Sequence, residues 1–372
     1  MFSLSDEVSV RRLVLGATVL GTGGGGDPKE GFELLMNTVV RRGRSVSIID
    51  PNELPSDSIV VQPYYVGSVA PGLKTKKEVR ISEPIKRAVE ELEGLLGAKV
   101  GAVVPTELGG GNTAVALSIA SELGVPVVDG DLMGRAGPEL HQCTLHIFKV
   151  PLYPSVIVTE TGNVVIIKEY ADIDDYEALA RYLSVLSGRH AAVVDAPMSA
   201  EVARKVVIRG TLTLCLRVGE VIEEAREVGK DPVKEVAKVL NGWVVFHGVV
   251  SDYRWRDEGG FLKGEVFVEG LSDFKDSILK SWIKNEHIMA WLNNEPLIMP
   301  PDLIIFLRPN GEPVTNTELR VGDEVYVLAA KAPDIWRSEE GLKYFGPKHF
   351  GLNYEYVPVE ELLRLRGLLT SF

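Results

Sequence analysis

Val100-Gly101-Ala102-Val103-Val104-Pro105-Thr106-Glu107-Leu108-Gly109-Gly110-Gly111-Asn112-Thr113 decides the fold, together with the apolar stretch to Leu123, Gly124 and Val125-Pro126-Val127-Val128. Val100–Val104 is a short, continuous apolar run of the kind buried on both faces of a parallel sheet. The glycines open a loop at its carboxyl end, and a helix is predicted from Thr113 to about Leu123. Gly124 stops that helix, and Val125–Val128 forms a second buried strand. The order is a β-loop-α-β unit of parallel α/β type. Ligands of such sheets gather outside the carboxyl ends of the strands. Two loops therefore matter: Thr106–Asn112, and Asp129-Gly130-Asp131-Leu132-Met133-Gly134-Arg135 with its continuation to His141. Glu107, Asn112, Asp129, Asp131, Arg135, Glu139 and His141 are expected to converge there. Carboxylates gathered with a histidine can hold a divalent metal or divide acid and base roles. Taken singly, Asp129 and Asp131 can equally cap a turn, and Glu139 can open a helix.

A second glycine run, Leu20-Gly21-Thr22-Gly23-Gly24-Gly25-Gly26-Asp27-Pro28, feeds a predicted helix over Lys29–Arg41, with Asp27 as N-cap and Pro28 at its first position. Ordering four glycines is costly, so the backbone must turn through positive φ or lie close against something. Two readings follow. The loop can offer N–H groups at a helix N-terminus to an anionic or strongly polar ligand, or it can simply pass tightly beside a neighbouring element. Gly21–Gly26 matches G-x-G-x-x-G, but that fingerprint follows a strand, and Ser5–Leu20 reads as a helix capped by Ser5. No Lys-Ser or Lys-Thr pair closes the run as a phosphate loop would require.

The 372 residues exceed one usual core, so two domains are expected: 1–168, an α/β domain with the glycine loops, and 169–372, with helices over 172–240, a β-rich part over 243–330 and an ordered tail packing back. With 45% hydrophobic and 25% charged residues the chain reads as a soluble globular protein. The formal net charge of −12 argues against nucleic acid as the main partner. No apolar stretch is long enough to cross a bilayer, and Met1–Arg12 is too polar for a secretion signal. Cys143 and Cys215 stand too far apart for a disulfide framework or a zinc-finger spacing, which suits a reducing cytoplasm. A small-molecule substrate and a homo-oligomer are the expected partners.

Further along, strands are predicted at Ser45–Asp50 and Ser58–Gln62, a loop at Val66–Gly72, and a helix capped by Ser82. Thr144–Val150, Ser155–Glu160 and Val164–Lys168 read as β, with His146 on a solvated strand face. Helices follow over Asp172–Leu186, Arg209–Val228 and Asp231–Leu240, with Cys215 in the core. From Trp243 short runs alternate between turn residues: Val244–Val249, Glu265–Val268, Ser277–Lys284, Leu303–Leu307 and Glu324–Leu328, as in a small barrel or sandwich. Gly259-Gly260-Phe261 reads as a lid or an interdomain contact.

Leu20–Pro28, the Asp-Gly-Asp-x-Met-Gly-Arg-Ala-x-Pro-Glu-Leu run of Val127–Leu140, and Gly259-Gly260-Phe261 recur together in one order. So do Pro300, Asp302, Leu303 and Ile304, the Trp336-Arg337 pair and Gly346-Pro347-x-x-Phe350-Gly351. In these the chain resembles, over nearly its whole length, the S-methyl thiohydantoin desulfurase family, often found with hydantoin-utilisation genes. The resemblance implies an N-terminal three-layer α/β domain with a parallel or mixed sheet, then a smaller β-rich, barrel-like domain. It also implies hydrolytic removal of methanethiol from an S-methyl thiohydantoin.

Attack of an activated water on an sp² ring carbon needs a base, donors for developing charge and an acid for the leaving group. Glu107, Asp129 and Asp131 are the candidates for base or metal ligand, and Glu139 for acid. Gly23, Gly24, Gly25, Gly26, Asp27, Gly110, Gly111 and Asn112 are expected to contact substrate, and Arg135 to hold a substrate carboxylate. Asp129, Asp131 and His141 are the candidate ligands should a divalent metal serve as cofactor. The competing class is a non-catalytic or accessory subunit whose glycine loops bind a nucleotide or metabolite.

Overall fold

The computed structural model of the chain describes residues 2–70, 78–188 and 190–368. An eight-stranded mixed sheet forms the first layer system. Its strands are β1 (Phe2–Leu4), β2 (Val46–Ile49), β3 (Ile59–Gly67), β4 (Ala102–Val103), β5 (Val127–Val128), β7 (Ser155–Val158), β8 (Val164–Ile167) and β9 (His190–Ser199), in the order β1-β2-β5-β4-β3-β9-β7-β8. The central run β2-β5-β4-β3 is parallel, and the outer pairs are antiparallel. Neighbouring side chains point to opposite faces of a sheet. Val61, Val103 and Val127 accordingly join one core, and Val60, Ala102, Val104 and Val128 another. The first core is covered by α1 (Glu7–Leu20), α3 (Pro84–Leu96), α4 (Asn112–Leu123) and α8 (Thr211–Glu227). The second is covered by α6 (Ile173–Ser187) and α7 (Ala200–Val206). Two apolar faces with a helical layer on each make the expected three-layer α/β arrangement.

Local chemistry sets the element ends. Asp6, not Ser5, caps α1 by accepting from Ser9 N at 2.9 Å. Asp27 caps α2 (Pro28–Leu35) as expected, accepting from Lys29 N at 2.8 Å and Glu30 N at 3.2 Å. The chain then widens into a π-helical turn over Met36–Val40. Gly124 ends α4 in the left-handed conformation. Glu83, without a side-chain cap bond, replaces Ser82 at the start of α3. The predicted loop Val66–Gly72 begins inside β3, and its Pro71 and Gly72 lie outside the described residues.

Thr144–Val150 is not a strand. Thr144–Ile147 forms one helical turn, α5, so His146 is on no strand face. A two-stranded sheet pairs β6 (Gly130–Asp131) with β10 (Ile208–Arg209).

After α9 (Pro232–Val239) the chain forms a seven-stranded antiparallel sheet curled into a half-barrel, in agreement with the β-rich reading. It comprises β11 (Trp243–Glu258), β12 (Phe261–Gly270), β13 (Ile278–Lys284), β14 (Glu286–Leu292), β15 (Glu295–Ile298), β16 (Leu303–Leu307) and β17 (Glu324–Ala330), in the order β15-β14-β13-β12-β11-β17-β16. Register shifts within β11, between Val244 and Phe246 and between Val250 and Asp252, let it twist sharply. The strands β14 and β15 have no counterpart in the sequence reading. The tail forms α10 (Asp334–Arg337), α11 (Glu339–Phe345) and α12 (Val359–Leu365). It packs back: Trp336 Nε1 donates to Met133 O at 2.7 Å, and Val359 and Leu363 enter the half-barrel core.

Candidate active site

A cavity of about 590 Å³ lies where the carboxyl ends of β3 and β4 meet the half-barrel. Gly23, Gly24, Gly25, Gly26 and Asp27 form one wall, and Glu107, Gly111 and Asn112 another. Gly137, Pro138 and Glu139 close a third side, and Asn285, Glu286, Thr315 and Thr317 reach in from the second half of the chain. The cavity sits by the strand ends, where ligands of α/β sheets gather.

The glycines let the two loops pack tightly against each other while Gly23–Gly26 and Gly111 still line the cavity. The Gly25 carbonyl accepts from Gly111 N and Asn112 N, both at 3.0 Å, so one glycine loop caps the helix that begins in the other. A Cβ on Gly25 would stand 2.6 Å from Gly109 Cα, closer than real side chains come. The N-terminus of α2 is likewise satisfied by Asp27. The N–H groups at both helix starts thus have protein partners and are not poised for an anion. Gly24 has a different neighbour: a Cβ there would lie 1.9 Å from Glu286 Oε1.

Glu107 and Glu286 are the chemical centre of the cavity. Glu107 Oε1 accepts from Asn112 Nδ2 at 2.7 Å, and its Oε2 from Gly137 N at 3.0 Å. Asn112 is itself locked to β3, its Oδ1 accepting from Tyr65 N at 2.9 Å and its Nδ2 donating to Tyr65 O at 3.2 Å. Glu286 is only 2% exposed, and its Oε2 has no hydrogen-bond partner. It follows Asn285, whose φ of +57° makes the tight turn between β13 and β14. Burial raises the pKa of both carboxyls. For Glu286 the negative charge of Glu107 adds to that, and its pKa stands well above the usual carboxylate range. For Glu107 the two donors pull the other way. Of the pair, Glu286 keeps its proton and Glu107 ionises first, the division that unequal environments impose on neighbouring acids.

Of the residues expected to converge, the structure brings Glu107, Asn112 and Glu139 to the cavity, with Gly111, Asp27 and Gly23–Gly26. Asp129, Asp131, Arg135, His141 and Gly110 do not line it. After β5 the chain turns away to pair with β10, and this carries both aspartates with it. Asp129 caps α8 across space, accepting from Thr213 N at 3.0 Å and Thr213 Oγ1 at 2.5 Å. Asp131 is fully buried, its Oδ2 accepting from Met133 N at 2.9 Å and Gly134 N at 2.6 Å, and burial pushes its pKa up to about 7.

Arg135 is also fully buried and ties the two halves together. It donates to Ala136 O, Pro301 O, Asp302 O, His287 O and Thr22 Oγ1 at 2.8–3.2 Å. Gly110 packs its carbonyl under Gly31. His141 contacts Asp174 outside the cavity lining, Nε2 to Oδ1 at 2.9 Å.

The guanidinium that does line the cavity is Arg181. Its Nε donates to Glu177 at 2.6 Å and its NH1 to the carbonyls of Gly67 and Gly260, with its plane over the Phe261 ring. Gly259-Gly260-Phe261 is therefore a contact between the half-barrel and α6, a helix that covers the eight-stranded sheet. Glu139 is paired with Lys284 and accepts from His349 Nε2 at 2.8 Å, and the hydrogen bond from His349 with the charge of Lys284 holds its pKa well below the usual range. Behind Tyr64, Asp195 accepts from Tyr64 and Tyr176 hydroxyls at 2.8 and 2.7 Å, and burial pushes its pKa up to about 7.

Sequence reasoning missed Glu286. The signal was there in Lys284-Asn285-Glu286-His287, a polar run set between the apolar Ile283 and Ile288.

Two family models match consecutive stretches of the chain. These are S-Me-THD-like, N-terminal domain, over residues 8–169, and S-Me-THD-like, C-terminal domain, over residues 171–359. The chain belongs to the S-Me-THD-like family. No curated protein matches this S-Me-THD-like chain in sequence. A solved structure of a protein from Chromobacterium violaceum aligns with a TM-score of 0.78 over 96% of this chain and 100% of that one, at 23% identity. That likeness shows a shared fold. Among the described residues no helix is long and apolar enough to cross a membrane.

Proposed function

We propose that this S-Me-THD-like protein is a hydrolase that releases methanethiol from an S-methyl thiohydantoin or a closely related small cyclic amidine. Glu107 is the base and Glu286 the acid. The observation that carries the reading is a pair of buried carboxylates in one cavity, one fixed by two donors and the other without a partner on Oε2.

Water adds to the ring carbon bearing sulfur. The new C–O bond forms as Glu107 takes one water proton, and the C=N electron pair moves to nitrogen, which takes the proton of Glu286. In the collapse the added hydroxyl returns its proton to Glu286, the C–S bond breaks, and sulfur leaves with the proton held by Glu107. A carbonyl and methanethiol result, and both carboxyls are restored. Positioned acid–base groups of this kind typically contribute about 10²–10⁴-fold in rate.

The guest is a neutral or cationic ring. Asp27, Glu30, Glu107, Glu139 and Glu160 lie on the wall beside the protonated Glu286, and Arg181 has four of its five donors committed, to Glu177, Gly67, Gly260 and Pro138. That disfavours the anionic ring compound expected from the glycine loops, and equally the phosphates of a nucleotide.

Incubation of the protein with a set of S-methyl thiohydantoins, with thiol-reagent detection of methanethiol, tests the proposal. Stoichiometric or greater release supports it. No release from any ring, together with thermal stabilisation by a nucleotide, would favour the accessory binding subunit instead.

A further inference from the structure

Glu139, His141 and His349 each bring a ligand atom to within 4.8 Å of the others; Glu139 is the N-cap of the short 3₁₀ turn Leu140–Gln142 that carries His141, and His349 comes from the tail. A plain reading exists, an ion-paired cluster in which Lys284 neutralises Glu139. Two features go beyond it. His141 is 8% exposed, and its Nδ1 is buried with no hydrogen-bond partner. Leaving such a buried atom unsatisfied is unfavourable. Its other nitrogen, Nε2, stands 2.9 Å from Asp174 Oδ1. A carboxylate on one ring nitrogen holds the proton there and leaves the lone pair of the other free, the arrangement that orients a metal-ligating histidine.

Glu139 is divided in the same sense. Its Oε1 faces Lys284, while its Oε2 lies 2.8 Å from His349 Nε2 and 3.2 Å from Gln142 Nε2.

We propose that Glu139, His141 and His349 form a site for one divalent transition-metal ion, with zinc the best match and His141 binding through Nδ1. Two imidazoles and one carboxylate are a donor set that zinc accepts with a position left open. Glu139 also lines the cavity, so the ion would stand at its wall. The proposal does not depend on the chemistry assigned to Glu107 and Glu286.

The test is metal binding by the full chain. The protein is stripped with a chelator and titrated with Zn²⁺ by calorimetry, the bound metal is counted by mass spectrometry, and the Co²⁺ form is examined for d–d absorption. About one equivalent of zinc per chain is expected. His141→Ala and His349→Ala should each weaken binding by about 100-fold, with Glu107→Gln binding as the wild type does. Asp174 has an 86% exposed side chain, so Asp174→Asn leaves the fold intact. It should weaken binding about 10-fold through the lost orientation of His141. Far less than one equivalent in the wild type, or unchanged affinity in the folded Asp174→Asn and histidine variants, would overturn the site.

Discussion

Gly24→Ala isolates the reason for the glycine run. Gly24 has no positive φ, so alanine adds no backbone strain there. What it adds is a methyl group 1.9 Å from Glu286 Oε1, 2.6 Å from its Cδ and 2.9 Å from its Cγ. Ordinary contact lies at about 3.5–4.0 Å, so the whole Glu286 side chain, or the loop, must retreat by more than an ångström. Glu286 is almost fully buried, which leaves little room for that. Overpacking of this kind costs about 1–3 kcal/mol.

Urea denaturation of wild type, Gly24→Ala, Glu286→Ala and the double variant closes a thermodynamic cycle. Gly24→Ala is expected to lower stability by about 1–3 kcal/mol in the wild type and by less than about 1 kcal/mol once Glu286 is alanine, a coupling typical of residues in contact. A neutral Gly24→Ala, or one equally harmful in both backgrounds, would refute the packing explanation and return the loop to ligand binding.

Asp131→Asn keeps an acceptor for Met133 N and Gly134 N while removing a buried ionisable group. Because the folded pKa of Asp131 is raised, its contribution to stability is present at low pH and is lost as pH rises from its ordinary 3.8 through about 7. The full change corresponds to about 4 kcal/mol at most, so the variant should gain on the wild type between pH 5 and pH 8 in thermal melts. A constant difference across that range would contradict the assignment. Arg135→Lys cannot reproduce a fork spread over five acceptors, and should cost about 2–4 kcal/mol without altering substrate affinity; a KM effect in a fully stable variant would count against its structural role. Gly31→Ala puts a Cβ 1.9 Å from the Gly110 carbonyl oxygen. It should destabilise by about 1–3 kcal/mol despite alanine's better helix propensity, and a stabilised variant in the same melts would show that the two loops do not pack as described.

The β4-α4-β5 unit was legible because its strands are unbroken apolar runs and glycines punctuate it. Glu107 and Asn112 were legible for the same reason: they follow β4, whose carboxyl end is easy to place, while Glu139 reaches the cavity only after the chain returns from β6. Asp129, Asp131 and Arg135 were misplaced because β6 bends away to pair with β10, a partner dozens of residues downstream that no local pattern announces. Thr144–Val150 was misread because Leu145 and Ile147 alternate over too few residues to separate a strand from one helical turn. Glu286 escaped because its importance is tertiary. It sits on a buried strand whose polar start breaks alternation, and only the closure of the half-barrel onto the glycine loop sets it against Gly24 and near Glu107.

The central claim is that hydrolysis occurs in this cavity on the Glu107–Glu286 pair. Methanethiol release by Glu107→Gln and Glu286→Gln, compared with Asp129→Asn, tests it most directly. The two glutamines should lower kcat by about 10²–10⁴-fold while the proteins stay folded, and Asp129→Asn should turn over near the wild-type rate once its helix-cap defect is allowed for. Wild-type turnover in Glu107→Gln and Glu286→Gln, with loss in Asp129→Asn, would contradict the account.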